Sequence, residues 1–154
     1  MDPVDRIAEA ARAHQLFVAV AESLTSGAVA SRLGAGPGAA KWFRGGVVAY
    51  GEPVKFRVLG VTPGPVVTER CAAEMASGVA RVLDADVAVA VTGVGGPGPH
   101  EGRPPGTVIV AVTGPGGRQC RSFLFQGDPE DIVSAARDAA VTMLADTLTE
   151  HVGS

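Results

Sequence analysis

The sequence predicts an α/β protein: a single-domain, three-layer α/β/α sandwich with a mixed, mostly parallel sheet and a hairpin on its C-terminal side. Three observations predict it. Short aliphatic runs alternate with segments of helical period through the first two thirds of the chain, the pattern of a parallel sheet with crossover helices. Two further apolar runs, parted only by "PGG", then read as a hairpin. At 154 residues with 46% hydrophobic but only 5% aromatic content, the chain supports one core, and Val, Ala and Leu must fill it.

The elements follow in order. "DPVDRIAEAARAHQ" opens a helix, with Asp2 at the N-cap, Pro3 at the first helical position, and Val4, Ile7, Ala8 and Ala11 at helical spacing. "LFVAV" is a short buried strand. "SGAVASRLGAG" is a helix stopped by Gly34 and Gly36. "FRGGVVAYG" is a second strand, "EPVKFRVLGV" a short helix, and "TPGPVVT" a turn-rich connection. "TERCAAEMASGVARVLDA" has the strongest helical period, with Thr68 as its cap, and "DVAVAVTG" is a third strand. "VGGPGPHEGRPPG" is too rich in glycine and proline to form an element. "GTVIVAVTG" and "GRQCRSFLFQG" make the hairpin. "DPEDIVSAARDAAVTMLADTLTEH" closes the chain as a long helix, with Asp128 at the N-cap and Pro129 at the first position. No linker, repeat or change of composition divides residues 1–154.

Charge narrows the function. The net charge is -3 and no basic run occurs, so nucleic acid is not an expected partner. Cys71 and Cys120 form no CxxC pair and read as reduced thiols rather than metal ligands, and no metal or cofactor is expected. No apolar stretch approaches the roughly 18 residues of a membrane span. The acidic, amphipathic N-terminus is unlike a signal peptide. A soluble, cytoplasmic protein with no membrane partner is expected, and its small size and apolar helix faces point to a homo-oligomer.

Two loops at strand ends carry the chemistry. "GVGGPG", Gly93 to Gly98, matches GxGxxG after a strand, but Pro97, Pro99, Pro104 and Pro105 forbid the helix a dinucleotide site needs. What remains is a long, shaped loop at the carboxyl end of a strand, where open α/β sheets bind ligands. In "AESLTSG", Ser23 ends the first strand and a helix starts around Thr25, Ser26 and Gly27, whose N–H groups offer an anion or oxyanion site. A hydroxyl of Ser23 or Thr25 that merely caps this helix is the competing reading. A nucleophilic serine needs a base. His14 ends a helix, His151 lies in the tail and His100 lies in the long loop, so the histidine case is weak. Only two lysines occur, Lys41 and Lys55, and Lys55 follows a strand end marked by the single tyrosine, Tyr50. A lysine there acts as base if burial lowers its pKa; as a solvated helix lysine it does not.

Taken together, "AESLTSG", "FRGGVVAYGEPVKFRVLGV" and "VTGVGGPGPHEGRPPGTVIVAV" resemble, in order, the three signature blocks of the CinA C-terminal domain family. The family pattern runs roughly AESCTGG, a strand ending in Y-x-x-x-x-K, then [ST]G-I-A-G-P and KPVGTV. Its members are nicotinamide-nucleotide amidohydrolases, and the resemblance covers nearly the whole chain. It implies metal-independent hydrolysis of the amide of nicotinamide mononucleotide (NMN), giving nicotinate mononucleotide and ammonia, with an NMN-like mononucleotide as the small-molecule substrate. Ser23 is then the nucleophile, Lys55 the base, Tyr50 an assisting group and Thr92 the hydroxyl before the glycine loop. Thr25, Ser26, Gly27, Gly93, Gly95, Gly96, Arg103 and Arg137 are the implied substrate-binding positions. No pyrophosphatase-like segment accompanies these blocks, so the stand-alone form of the domain is expected.

The chain also departs from the pattern. Leu24 replaces the cysteine after the serine, and Ser26 replaces a glycine. "RPPGTV" keeps the charge of KPVGTV in Arg103 but not its shape. Most consequential is "FQGDPEDI", which puts Pro129 where the family commonly has F-x-G-D-R, leaving Arg137 about two turns on as a substitute. Loss of a guanidinium–phosphate contact costs about 1.5–3 kcal/mol, or tenfold to a hundredfold in affinity. A binding module that keeps the fold without turnover, and an amidase of another small amide, are the competing functions.

Overall fold

The structure, a computed structural model, describes residues 1–152. The elements run α1 (Pro3–Ala13), β1 (Val18–Glu22), α2 (Ala28–Gly34), β2 (Phe43–Val48), α3 (Glu52–Arg57), α4 (Glu69–Val82), β3 (Val87–Gly93), β4 (Thr107–Gly114), β5 (Gly117–Leu124) and α5 (Pro129–Val152). This is the order expected from the sequence. A 3₁₀ turn at Ala39–Lys41 is the addition, in "GPGAAKW", where no period was visible. The five strands form one sheet in the order β2-β1-β3-β4-β5. Both neighbours of β1 run parallel to it, while β4 runs antiparallel to β3 and β5. Four strands therefore share a direction and β4 alone opposes them.

Strand composition explains the layering. In β1 and β3 the valines alternate with alanines, in β4 with Ile109 and Ala111, and the two sets enter different cores. Val18, Val20, Val87, Val89, Val91, Val108 and Val110 face α1, α2 and α5. Ala19, Ala21, Ala88, Ala90 and Ala111 face α4. Period-two alternation sends these sets to opposite faces, and the small face lets α4 approach closely. Gly78 of α4 admits a different neighbour, the segment after α3: a Cβ there would run into the Leu59 carbonyl.

The caps read from sequence are present. Asp2 accepts from Val4 N–H at 2.8 Å, and Thr68 accepts from Cys71 N–H at 3.0 Å. At α5, Asp128 and Asp131 accept from one another's N–H at 3.1 and 3.0 Å, a reciprocal capping box ahead of a long helix. Among the described residues no helix is long and apolar enough to cross a membrane.

The fold positions a site at the carboxyl ends of the parallel strands. From β1 the chain moves to β2 on one side and then to β3 on the other, so β1 is the topological switch point. At such a point the crossover connections part and leave a crevice. Ser23, Ala49 and Thr92 stand at the ends of the three strands that border it.

Candidate active site

Ser23 follows directly on β1. Its N–H donates to Val91 O at 3.1 Å, so the backbone is still held by β3 at that residue. The chain then turns sharply: Ser26 N–H donates to Ser23 O, and Ala28 N–H to Thr25 O, at 3.1 and 2.9 Å. The turn needs left-handed backbone at two positions, Ser26 (φ 51°) and Gly27 (φ 104°). A glycine at position 26 would adopt that conformation freely, whereas serine resists it.

Neither Ser23 nor Thr25 caps α2. Its N-cap is Gly27, which makes no side-chain cap. The buried Glu22 reaches across the turn instead, and its two carboxylate oxygens accept from Val29 and Ala30 N–H, each at 2.9 Å. This is why an apolar strand ends in a glutamate. The carboxylate fills the donors that an external anion would use. Of Thr25, Ser26 and Gly27, the positions expected to form an anion site, Ser26 N–H is already given to Ser23 O, and two donors in the first turn of α2 just beyond go to Glu22. Thr25 Oγ1 is buried without a partner, and none of these three residues lines the cavity described below. Equilibrium denaturation of Glu22→Ala is expected to show a loss of about 2–3 kcal/mol, since one buried and one part-buried N–H lose a charge-assisted acceptor. A loss under about 0.5 kcal/mol, the level of an ordinary surface change, would show that Glu22 does not hold the turn.

Lys55 comes from α3, whose last turn would ordinarily carry a solvated lysine. Here the side chain is 1% exposed. Its Nζ lies 3.0 Å from Ser23 Oγ, 2.8 Å from Ala49 O and 3.0 Å from Tyr50 O. Ala49 in turn donates its N–H to Glu22 O at 2.7 Å, which locks the β2 end beside the β1 end. Two carbonyls thus hold two Nζ–H groups, and the third tetrahedral direction meets the serine. Burial pushes the ammonium below its ordinary 10.5, against opposing contributions from Cys71, Glu52 and Glu101. The Cys71 thiol is itself pushed up to about 11 by burial, so it is no competing nucleophile near neutrality.

The pair opens on a cavity of about 410 Å³. Ser23 and Lys55 lie in its wall with Tyr50, Thr92 and the glycines Gly93, Gly95 and Gly96. Tyr50 contributes its carbonyl to Lys55, while the residue is 68% exposed at the rim. Thr92 is buried and its hydroxyl donates to Val66 O at 2.9 Å, so in this structure it braces Val66. The loop that supplies the glycines is shaped: Val94 and Thr107 are joined at its base, and a Cβ at Gly106 would collide with the Phe125 carbonyl. Gly95 lies against Leu24. No backbone hydrogen bond among the described residues uses the N–H of Leu24, Gly95 or Gly96.

The two arginines singled out from the sequence lie elsewhere. Neither Arg103 nor Arg137 lines the cavity, and Arg137 Nε pairs with Asp138 at 2.9 Å on the outside of α5. Pro129 does lie near the cavity: a methyl group on Gly96 would sit 3.9 Å from Pro129 Cγ. Pro129 thus stands behind Gly96 of the cavity wall without lining the cavity itself, and proline offers no charge there. His100 is at the rim, 3.9 Å from a carboxylate oxygen of Glu52, and His14 is exposed. The His151 side chain lies outside the described residues. Glu52, His100 and Glu101 converge at the rim as exposed potential ligands, but Glu101 is already committed to Val66 and Val67 N–H, which leaves a poor metal set.

A family model described as the CinA C-terminal domain matches residues 2–148. A CinA-like protein of Frankia casuarinae is 44% identical over 137 residues, covering 83% of this chain and 32% of its own length. The chain spans about a third of the length of the curated relatives it matches. Among solved structures, a competence-damaged protein (CinA) superfamily protein from Klebsiella pneumoniae superposes with a TM-score of 0.90 at 32% identity, covering 96% of both chains. A protein of the same superfamily from Escherichia coli gives 0.89 at 34% identity, covering 93% of this chain and 87% of its own.

Proposed function

Because the chain belongs to the CinA C-terminal domain family, and because a buried lysine meets a serine hydroxyl in a cavity at its switch point, we propose that it is a serine amidohydrolase converting NMN to nicotinate mononucleotide and ammonia. One observation carries the reading: Lys55 Nζ lies 3.0 Å from Ser23 Oγ, in surroundings that disfavour the lysine's charge. With its charge lost, Lys55 keeps two N–H bonds to Ala49 O and Tyr50 O and turns its lone pair to the Ser23 hydroxyl.

The steps follow from that geometry. Lys55 takes the Ser23 proton as Oγ attacks the amide carbon. The N–H groups of Leu24, Gly95 and Gly96 face no protein acceptor from the backbone, and are the natural donors to the oxyanion. Lys55 returns its proton to the departing nitrogen, so that ammonia leaves and an ester on Ser23 remains. Water then attacks the ester with Lys55 again as base, releasing the acid and restoring the serine.

The test is ammonia and nicotinate mononucleotide release from NMN by the purified protein. Equal amounts of the two products are expected. Binding of NMN without release would make the chain a nucleotide-binding module. A second reading, an amidase of another small amide, is favoured by the position of Arg103 and Arg137 outside the cavity. It predicts that nicotinamide riboside, which lacks the phosphate, is hydrolysed at least as well as NMN.

A further inference from the structure

We propose that Glu101 is a positioning residue: it clasps the tip of the 94–106 loop onto Val66 and Val67 and so fixes the cavity wall that receives the substrate. Its carboxylate accepts from Val66 N–H at 2.9 Å and from Val67 N–H at 2.8 Å. Val66 lines the cavity and is 5% exposed. The same residue's carbonyl accepts from the Thr92 hydroxyl, so its peptide unit is gripped from both sides.

The loop is built to deliver this carboxylate. His100 and Arg103 exchange two backbone hydrogen bonds, at 3.0 and 2.9 Å, around Glu101 and Gly102. Both central residues have positive φ, 52° and 72°, as a two-residue type I′ turn requires. A glutamate is a poor choice for the first central position on backbone grounds alone, where asparagine, aspartate or glycine is favoured. Burial would raise the carboxyl's pKa, yet the Val66 and Val67 N–H bonds, together with the charges of His100 and Arg103, hold the group below its ordinary value. The clasp also closes a ring. The chain runs from Thr92 through Gly93, Gly95 and Gly96 to Glu101, and hydrogen bonds return through Val66 to Thr92. Opening it frees both the glycine rim and the Val66 wall, while Ser23 and Lys55 stay anchored by β1, β2 and α3.

This role rests on the amidohydrolase reading for its kinetic test but not for its structural one. Since the reacting pair is anchored independently, loss of the clasp removes binding made equally in the ground and transition states. Glu101→Ala is expected to raise KM about tenfold. Because the Glu101 charge also favours the Lys55 ammonium, kcat is compared above the Lys55 ionisation, where it is expected to stay within about twofold of the parent. Glu101→Gln keeps one acceptor oxygen but turns an NH2 donor toward the other N–H, and is expected to recover only part of that loss. An unchanged KM in Glu101→Ala, or a fall in kcat without a rise in KM, overturns the proposal. In hydrogen exchange, the Val66 and Val67 amides of Glu101→Ala are expected to exchange at least about tenfold faster, with the β1 and β3 amides unchanged. Unchanged exchange at Val66 and Val67 overturns the clasp. That arm needs no turnover, so it still decides if NMN is not the substrate.

Discussion

Ser23→Ala protein is expected to release ammonia from NMN at least about 10⁴-fold more slowly than the parent. The substitution removes the one hydroxyl among the described residues that hydrogen-bonds Lys55, and leaves the cavity and its N–H donors in place. What survives is whatever those donors and binding alone provide to attack by water. Stability separates this loss from unfolding. Ser23 Oγ is one of three partners of Lys55 Nζ, and the other two are backbone carbonyls that remain. The change therefore costs about 1 kcal/mol, the net worth of one ordinary hydrogen bond. Acid quenching during turnover adds a direct arm: the parent is expected to carry the nicotinate nucleotide as an ester, and Ser23→Ala to carry none. Activity retained within about tenfold of the parent would mean that Lys55 activates water and that no acyl-enzyme forms.

The order of the elements was legible in the sequence, because each signal was local. Asp2, Thr68 and Asp128 cap helices that begin within three residues of them, and the alternation of valine with alanine marks strands covered on both faces. The carboxyl-end location of Ser23, Lys55 and the glycine loop followed from the same reading. What was not legible lies in contacts between distant segments. Glu22 looked like the first polar residue of a loop, yet it accepts from residues seven and eight positions on, a reach no capping motif describes. Lys55 had the statistics of a solvated lysine, and its burial follows from the Ala49 and Tyr50 carbonyls converging where β2 ends beside β1. Glu101 carries no local signal, because its partners lie 34 and 35 residues back. Arg103, two positions on, was the loop charge that the family resemblance assigned to substrate. The fold gives the glutamate the inward task instead, which no local pattern reveals.

Lys55→Met is expected to lower kcat about 10²–10⁴-fold, the range typical for loss of a positioned general base. Methionine fills nearly the same volume without a titratable group, so the cavity keeps its shape. The decisive reading is the pH profile. As a base Lys55 must be uncharged, so parent kcat/KM is expected to fall as pH drops through the lysine's pKa. That limb must lie below the ordinary 10.5, because burial lowers the pKa. Residual activity of Lys55→Met is expected to lack it. Stability should move in the same sense. Between the folded-state pKa and 10.5 the unfolded chain holds the proton more firmly, so the parent gains stability as pH rises through that window. Below the folded value both states carry the charge, and the penalty for burying it is constant. Lys55→Met has no such term, and the stability difference between the two proteins should therefore change only within the window. Two separate measurements, a rate and an unfolding free energy, must then report the same ionisation. A parent profile flat from about pH 6 to 10, with stability tracking the variant throughout, would remove Lys55 from the proton transfer and make it a structural cross-brace between α3 and the strand ends.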